Sequence, residues 1–348
     1  ARNWCWRLAV GLLTLWILSV AWSAEVSAES VFDAVRLGVM LVIFVTAGVS
    51  LSARGWFPET RIIDAVVAAA GVGAVVTLAL AAWPVDGMWS GTRLTGLGWA
   101  HNPNLGGSLY GFAALAALIR LTEARSPYWR AIAASVLIVS VTFCLLTESR
   151  SAALALVVGV GIVVTRLKPR VALATLLLVV CIAILGQVTG AVDFGNWIDR
   201  GPGQRFAIWR DVVDQMASHP VLGLGSAHLM DVGQRGFFSA HNVFLAIGYR
   251  LGFVGLGLFL VLSLVLARMA LNAVRDGDVR LLAFFAFGYT VMSLDTQSIV
   301  IAPSREWLVF WLPLLMAVGR AHTMGAARVT WTEGVSRGAR MVAVRRQD

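Results

Sequence analysis

Apolar residues run through this chain in long blocks, and the polar residues fall almost entirely between them. The blocks lie at about 5–22, 35–51, 62–83, 105–121, 129–146, 151–165, 171–188, 243–267, 279–294 and 306–319. A hydrocarbon core about 30 Å thick is crossed by about 20 helical residues. The alternation of apolar and polar positions that marks a membrane barrel is absent, so each block predicts a helix. The first block is too long for a cleavable leader and more spans follow it, so it reads as the first of the series. One long polar interval interrupts the pattern, from Thr189 to His241. Within it, Gly203 to Ser218 predicts an amphipathic helix ended by His219-Pro220. Arg205, Trp209, Val212 and Met216 follow the i, i+4, i+7, i+11 spacing, which puts Arg205 in line with the apolar stripe.

The expected fold is all-α: a polytopic membrane protein of about ten transmembrane helices with a long, partly helical extracytoplasmic loop. Residues 1–322 form one transmembrane domain, with the loop at about 189–241 contributing to an active site, and residues 323–348 form a basic cytoplasmic tail.

Composition agrees with the pattern. The chain is 58% hydrophobic and 14% charged, with a mean hydropathy of +0.78, outside the range of soluble domains. Its basic residues fix an orientation. With the N-terminus inside, Arg7, Arg54, Arg61, Arg120, Arg125, Arg130, Arg166, Lys168, Arg170, Arg268, Arg275, Arg280 and the arginines from Arg320 onward all fall on the inner side. That is the positive-inside bias at every step, with both termini cytoplasmic and the long loop outside. Charge dispersed over helix ends in this way excludes a nucleic-acid-binding face, despite a pI near 10.6. The tail, with Arg337, Arg340, Arg345 and Arg346, suits contact with anionic headgroups of membrane lipids. Cys5, Cys144 and Cys181 all lie inside predicted spans, so neither a disulfide framework nor a thiolate metal site is indicated.

A few arginines run against the bias. Arg93, Arg150, Arg200, Arg205, Arg210, Arg235 and Arg305 fall outside, and Arg36 and Arg250 fall nominally within spans. Guanidinium groups hold phosphate oxygens in a fork and keep their charge, which suits a lipid diphosphate headgroup. Arg205 is the strongest candidate, against a plain snorkelling role at a helix end. Arg150 sits in the tight turn Thr147-Glu148-Ser149-Arg150-Ser151, where Glu148 offers an ordinary partner. Arg210 has Asp214 one turn later. Arg93 lies in a loop with His101-Asn102-Pro103-Asn104, which is turn chemistry.

His241, where the polar interval ends, is the candidate base, since imidazole can take a proton from an attacking hydroxyl near neutral pH. Asn242 beside it is placed to orient the ring or an incoming sugar. Arg250 lies about 13 Å further along if the segment is helical, a depth at which an arginine is paired or functional, and Asp295 is a candidate partner. The Asp-x-Asp at Asp276-Gly277-Asp278 falls in a short cytoplasmic turn and reads as turn sequence, so no metal site is assigned. Gly252, Gly255 and Gly257 read as positions of close helix packing.

These residues carry a resemblance. His241-Asn242 followed by Gly252-Phe253-Val254-Gly255 resembles the signature of the bacterial O-antigen ligase and O-antigen polymerase superfamily. Arg205 to Trp209 with His219-Pro220-Val221-Leu222-Gly223-Leu224-Gly225 is similar to the segment before that histidine. Ser149-Arg150-Ser151-Ala152 and Asn102-Pro103-Asn104 resemble its arginine turn and its outer-loop element. The resemblance implies a metal-independent inverting glycosyltransferase of the bacterial inner membrane, with no cofactor and its active site facing the periplasm. The donor would be an undecaprenyl-diphosphate-linked glycan, bound through Arg150 and Arg205, with Arg210, Arg93, Asn242 and Arg250 as secondary candidates. His241 would activate the acceptor hydroxyl. The acceptor would be lipid A-core for a ligase, or a second lipid-linked glycan for an O-antigen or exopolysaccharide polymerase. A transporter of lipid-linked sugars would spread its arginines over both halves of the membrane, whereas here they gather on one side.

Overall fold

The computed structural model describes residues 2–23, 26–56, 58–81, 89–90, 93–124, 126–167, 169–190, 203–231 and 239–321. Parts of the long loop, Arg200, Arg235 and the tail from His322 lie outside the described residues. Eleven helices are found among the described residues, apart from short 3-10 turns: α1 (Arg2–Leu18), α2 (Ala28–Ala53), α3 (Glu59–Ala81), α4 (Pro103–Glu123), α5 (Pro127–Leu146), α6 (Arg150–Val164), α7 (Pro169–Val188), α8 (Gly203–Ser218), α9 (Val243–Arg275), α10 (Arg280–Leu294) and α11 (Trp307–Ala321). Seven regions are long and apolar enough to cross a membrane, and α6, α10 and α11 are shorter apolar helices. The protein is thus an all-α multi-pass membrane protein; its strand content among the described residues is the small hairpin Trp89–Ser90 with Arg93–Leu94. The amphipathic helix expected at Gly203 to Ser218 forms there as α8.

The bundle is organised around α4, which is buried along most of its length and packs against α3, α5, α6, α10 and the start of α11. Its sequence explains this position. Gly106, Gly107, Gly111 and the alanines Ala113, Ala114, Ala116 and Ala117 present almost no side chain, so neighbouring helices approach closely. A Cβ on Gly107 would come within 2.5 Å of Thr147 Oγ1, and one on Gly111 within 3.0 Å of the Phe287 ring. Gly288 on α10 faces the Val309 carbonyl in the same way, beside the π-helical turn Trp307–Trp311 that opens α11. A second, smaller core lies under α8, where Ile208 and Val212 meet Leu224, Met230, Ala240, Ala246 and Tyr249.

Candidate active site

The site begins with a break in α9. Gly252 adopts φ 60°, ψ −162°, a conformation open to glycine. The helical bonds that Phe253 and Val254 would make to the carbonyls of Tyr249 and Arg250 are therefore lost. All four groups are satisfied by the segment Pro220–Gly225 instead. Phe253 and Val254 donate to the carbonyls of Pro220 (2.8 Å) and Val221 (3.2 Å), while Leu224 and Gly225 donate to those of Tyr249 (2.8 Å) and Arg250 (2.9 Å). The contact is main chain on main chain: a Cβ on Gly252 would lie 2.3 Å from the Val221 oxygen, and one on Gly223 would lie 2.5 Å from Gly252 N. Two motifs that the sequence keeps apart are thus one joint. Gly252 serves as a break as well as a close contact, which corrects the simple packing role expected for it.

Arg250 belongs to this joint. Its Nη1 donates to the Ser226 carbonyl at 3.0 Å and its guanidinium lies over the Trp16 ring at 5.2 Å. Asp295 is therefore not its partner, contrary to the sequence expectation. Ser226 is held in turn at the end of α1, its N–H donating to Ser19 Oγ just past the helix and its Oγ to the Trp16 carbonyl.

On this joint α9 starts at His241-Asn242. Asn242 caps the helix, its Oδ1 accepting from Phe244 N (2.9 Å) and Leu245 N (3.2 Å), and its Nδ2 donates to the Ser293 carbonyl on α10 (3.0 Å). Both ends of the amide are engaged by backbone, so this residue fixes the start of α9 against the end of α10. His241 sits at φ +49°, a left-handed conformation that turns its ring toward the loop between α10 and α11. There its Nδ1 meets Asp295 Oδ1 at 2.9 Å. The other Asp295 oxygen accepts from Arg305 Nη1 at 3.0 Å, and Arg305 Nε donates to Glu306 Oε1 at 2.9 Å. Ser304 Oγ donates to the second Glu306 oxygen at 2.6 Å. Two indoles pin the loop that carries these groups, Trp307 donating to the Ile301 carbonyl and Trp311 to that of Ile299.

Asp295, Arg305 and Glu306 are almost wholly buried, whereas the His241 side chain keeps 29% of its surface exposed. Burial by itself would raise the Asp295 carboxyl, but Arg305 and then His241 outweigh it and hold the group below the usual carboxylate range. An ionised carboxylate can only accept, so His241 Nδ1 carries the hydrogen. In the neutral ring Nε2 then has the free lone pair, and it makes no hydrogen bond among the described residues. The arrangement presents an imidazole with its tautomer set from behind and its second nitrogen unbonded among the described residues, which is what a general base requires.

Other residues singled out by sequence converge on the same end of the bundle. Arg305 Nη1 reaches Ser108 Oγ at 3.5 Å, and Ser108 Oγ donates to the Asn104 carbonyl one turn earlier on α4. Arg93 bridges two elements here, donating from Nη2 to Asn104 Oδ1 (2.7 Å) and from Nε to the Thr147 carbonyl (2.9 Å). Arg150 starts α6 just after the turn that Thr147 and Ser149 press onto Gly107, and it is exposed. On α8, Trp209 Nε1 donates to the carbonyl of Ala240, the residue before His241, at 2.9 Å. Arg205 lies one turn earlier on α8, half-buried, and Arg210 points to the exposed side. Arg36 is accounted for by Asp33 at 2.9 Å.

Residues 110–260 match a protein family described as O-antigen ligase. Over that segment the chain is similar to the O-antigen ligase family. A curated O-antigen ligase from Pseudomonas aeruginosa is 25% identical over 315 residues, covering 86% of this chain and 73% of the relative. The matched family segment holds Arg150, Arg205, His241 and the Gly252 joint. Asp295, Arg305 and Glu306 lie beyond it, and their place in this candidate site comes from geometry alone. The sequence reading missed their pairing with His241. The available signal was three charges at the edges of the last two apolar blocks, of which Arg305 runs against the positive-inside bias.

Proposed function

We propose that this protein, like the O-antigen ligases it resembles, transfers a glycan from undecaprenyl diphosphate to an acceptor hydroxyl at the outer face of the inner membrane, and that the acceptor is lipid A-core. The observation that carries the reading is the His241–Asp295–Arg305 chain, which ends in a partly exposed imidazole whose Nε2 is unbonded among the described residues. His241 Nε2 takes the hydroxyl proton as the acceptor oxygen bonds to the anomeric carbon. The bond from that carbon to the diphosphate oxygen breaks on the opposite face, so the anomeric centre inverts. Arg150 and Arg205 take up the charge that develops on the leaving diphosphate, a task metal ions perform elsewhere. Arg93 is committed to Asn104 and Thr147, and its part is to hold those two elements together beside the leaving group. The positive-inside distribution of arginines supports placing this end of the bundle in the periplasm and both termini in the cytoplasm.

The test supplies purified protein in lipid with an undecaprenyl-diphosphate oligosaccharide, with and without lipid A-core, and sizes the products. A conjugate formed only when lipid A-core is present is the expected result. A ladder built from the donor alone would make the protein a polymerase and overturn the assignment of the acceptor.

A further inference from the structure

Among the described residues the bundle holds a large apolar space that the site described above does not use. α2 packs on α1, and α3 packs on α4 and α5, leaving a groove of about 850 Å³ between α2 and α3. Its floor is α4 at Leu109, Tyr110 and Ala113, together with α11 at Leu308, Leu312 and Leu315. The α3 wall is kept low by Ala65, Ala69, Ala70 and Gly73. A Cβ built on Gly73 meets nothing within 4 Å, so the space there is open.

Two properties of the groove decide what it fits. The first is length. At one end it is lined by Trp56 and Arg61, beside the α2–α3 connection, and from Arg61 to Gly73 α3 rises about 18 Å at 1.5 Å per residue. One leaflet contributes only about 15 Å of hydrocarbon, so an acyl chain confined to a leaflet would leave part of the groove unfilled. A chain that passes the bilayer midplane would fill it. The second is where the other end lies. Leu109 follows Ser108 on α4, and Leu308 is one turn from Arg305, so the groove runs out beneath the Ser108–Arg305 contact of the His241 site.

We infer that the groove between α2 and α3 holds the polyprenyl chain of the lipid-linked donor along its length, an inference that rests on the proposed donor only in calling the chain the donor's. Lipid tails are as apolar as the groove walls, so moving the chain from the bilayer into the groove releases little water. What the groove supplies is registry: a chain laid along α3 brings its diphosphate to the His241 end in one position rather than many.

The experiment uses full-length protein in nanodiscs and two photoreactive probes, undecaprenyl diphosphate with a diazirine near the chain terminus and phosphatidylglycerol with a diazirine at an acyl end. The undecaprenyl probe is expected to label peptides of α2 and α3, and unlabelled undecaprenyl diphosphate to compete about tenfold better than farnesyl diphosphate. Gly73→Leu, which fills the open part of the groove, is expected to abolish this labelling, while Gly73→Ala and the lipid-facing Val75→Leu retain it. Equal competition by farnesyl diphosphate would overturn the inference. So would labelling by phosphatidylglycerol that undecaprenyl diphosphate does not displace. Neither arm requires glycan transfer, so a failed transfer assay and an empty groove are separate results.

Discussion

The helix α10 has a charged cluster at each end, and the two differ in what they leave unspent. At its start, Arg280 meets Asp278 at 2.6 Å, Glu59 at 3.2 Å and Glu123 at 3.6 Å, while Arg320 pairs with Asp278 and lies 3.8 Å from Asp276. These charges come from α3, α4, α10, α11 and the α9–α10 turn, and each has an opposite charge as its neighbour. The cluster fixes where helix ends meet. At the other end, Asp295, Arg305 and Glu306 are as well paired, but the chain of contacts finishes at His241, whose Nε2 is unengaged among the described residues. One cluster pairs charge with charge, and the other ends at the imidazole nitrogen proposed to react. Both are dense in charge, so charge density alone does not locate the chemistry.

The comparison breaks most visibly at His241. His241→Ala is expected to lower glycan transfer about 10²- to 10⁴-fold, the usual contribution of a general base, with the thermal midpoint unchanged. Purified variants in lipid, assayed for transfer and for melting, check this. Wild-type transfer by the variant would remove His241 from the chemistry. Asp295→Asn has the next largest effect. An amide can donate to Nδ1, which favours the tautomer with the hydrogen on Nε2, so turnover is expected to fall about 100-fold while KM for the donor holds. A rise in KM with turnover intact would make Asp295 a structural residue, and the two clusters would then be alike.

Much of this molecule is legible in the sequence, for a physical reason. Membrane spans and the amphipathic helix α8 are local patterns, so the ten apolar blocks and the stop at His219-Pro220 are read directly. His241 is legible as a polar residue at the edge of an apolar run. Its partner is not, because Asp295 is distant in sequence and the chain offers Arg250 as an equally plausible ion pair. Only the fold shows that Arg250 is taken by Ser226 and Trp16. The same holds for Asp276-Gly277-Asp278. As sequence it is a turn; in space Asp278 joins Arg280 and Arg320, because α11 brings Arg320 back to that turn. Backbone conformation is the third thing hidden: nothing local distinguishes Gly252, which breaks α9, from Gly257, where a Cβ would meet nothing within 4 Å.

The smallest expected effect sharpens the contrast from the closed side. Burial would raise the Asp278 carboxyl, but hydrogen bonds from Arg280 and the charges of Arg280 and Arg320 hold it below the ordinary value. A carboxylate with a depressed folded pKa contributes stability that is complete above its unfolded value, about 3.9. That contribution is lost as the pH falls through the lower folded value. Asp278→Asn removes the charge while keeping the shape, and is expected to cost about 1–3 kcal/mol at neutral pH. Melting curves taken from pH 7 down to pH 3 should show the variant's deficit shrinking below about pH 4, as the wild-type carboxylate is protonated and its advantage disappears. Transfer per folded molecule should stay at the wild-type level, because the proposed reacting groups lie at the other end of α10. A drop in turnover without a drop in stability would mean that the Arg280 end communicates with His241 through α10, and the division between a structural cluster and a catalytic one would fail.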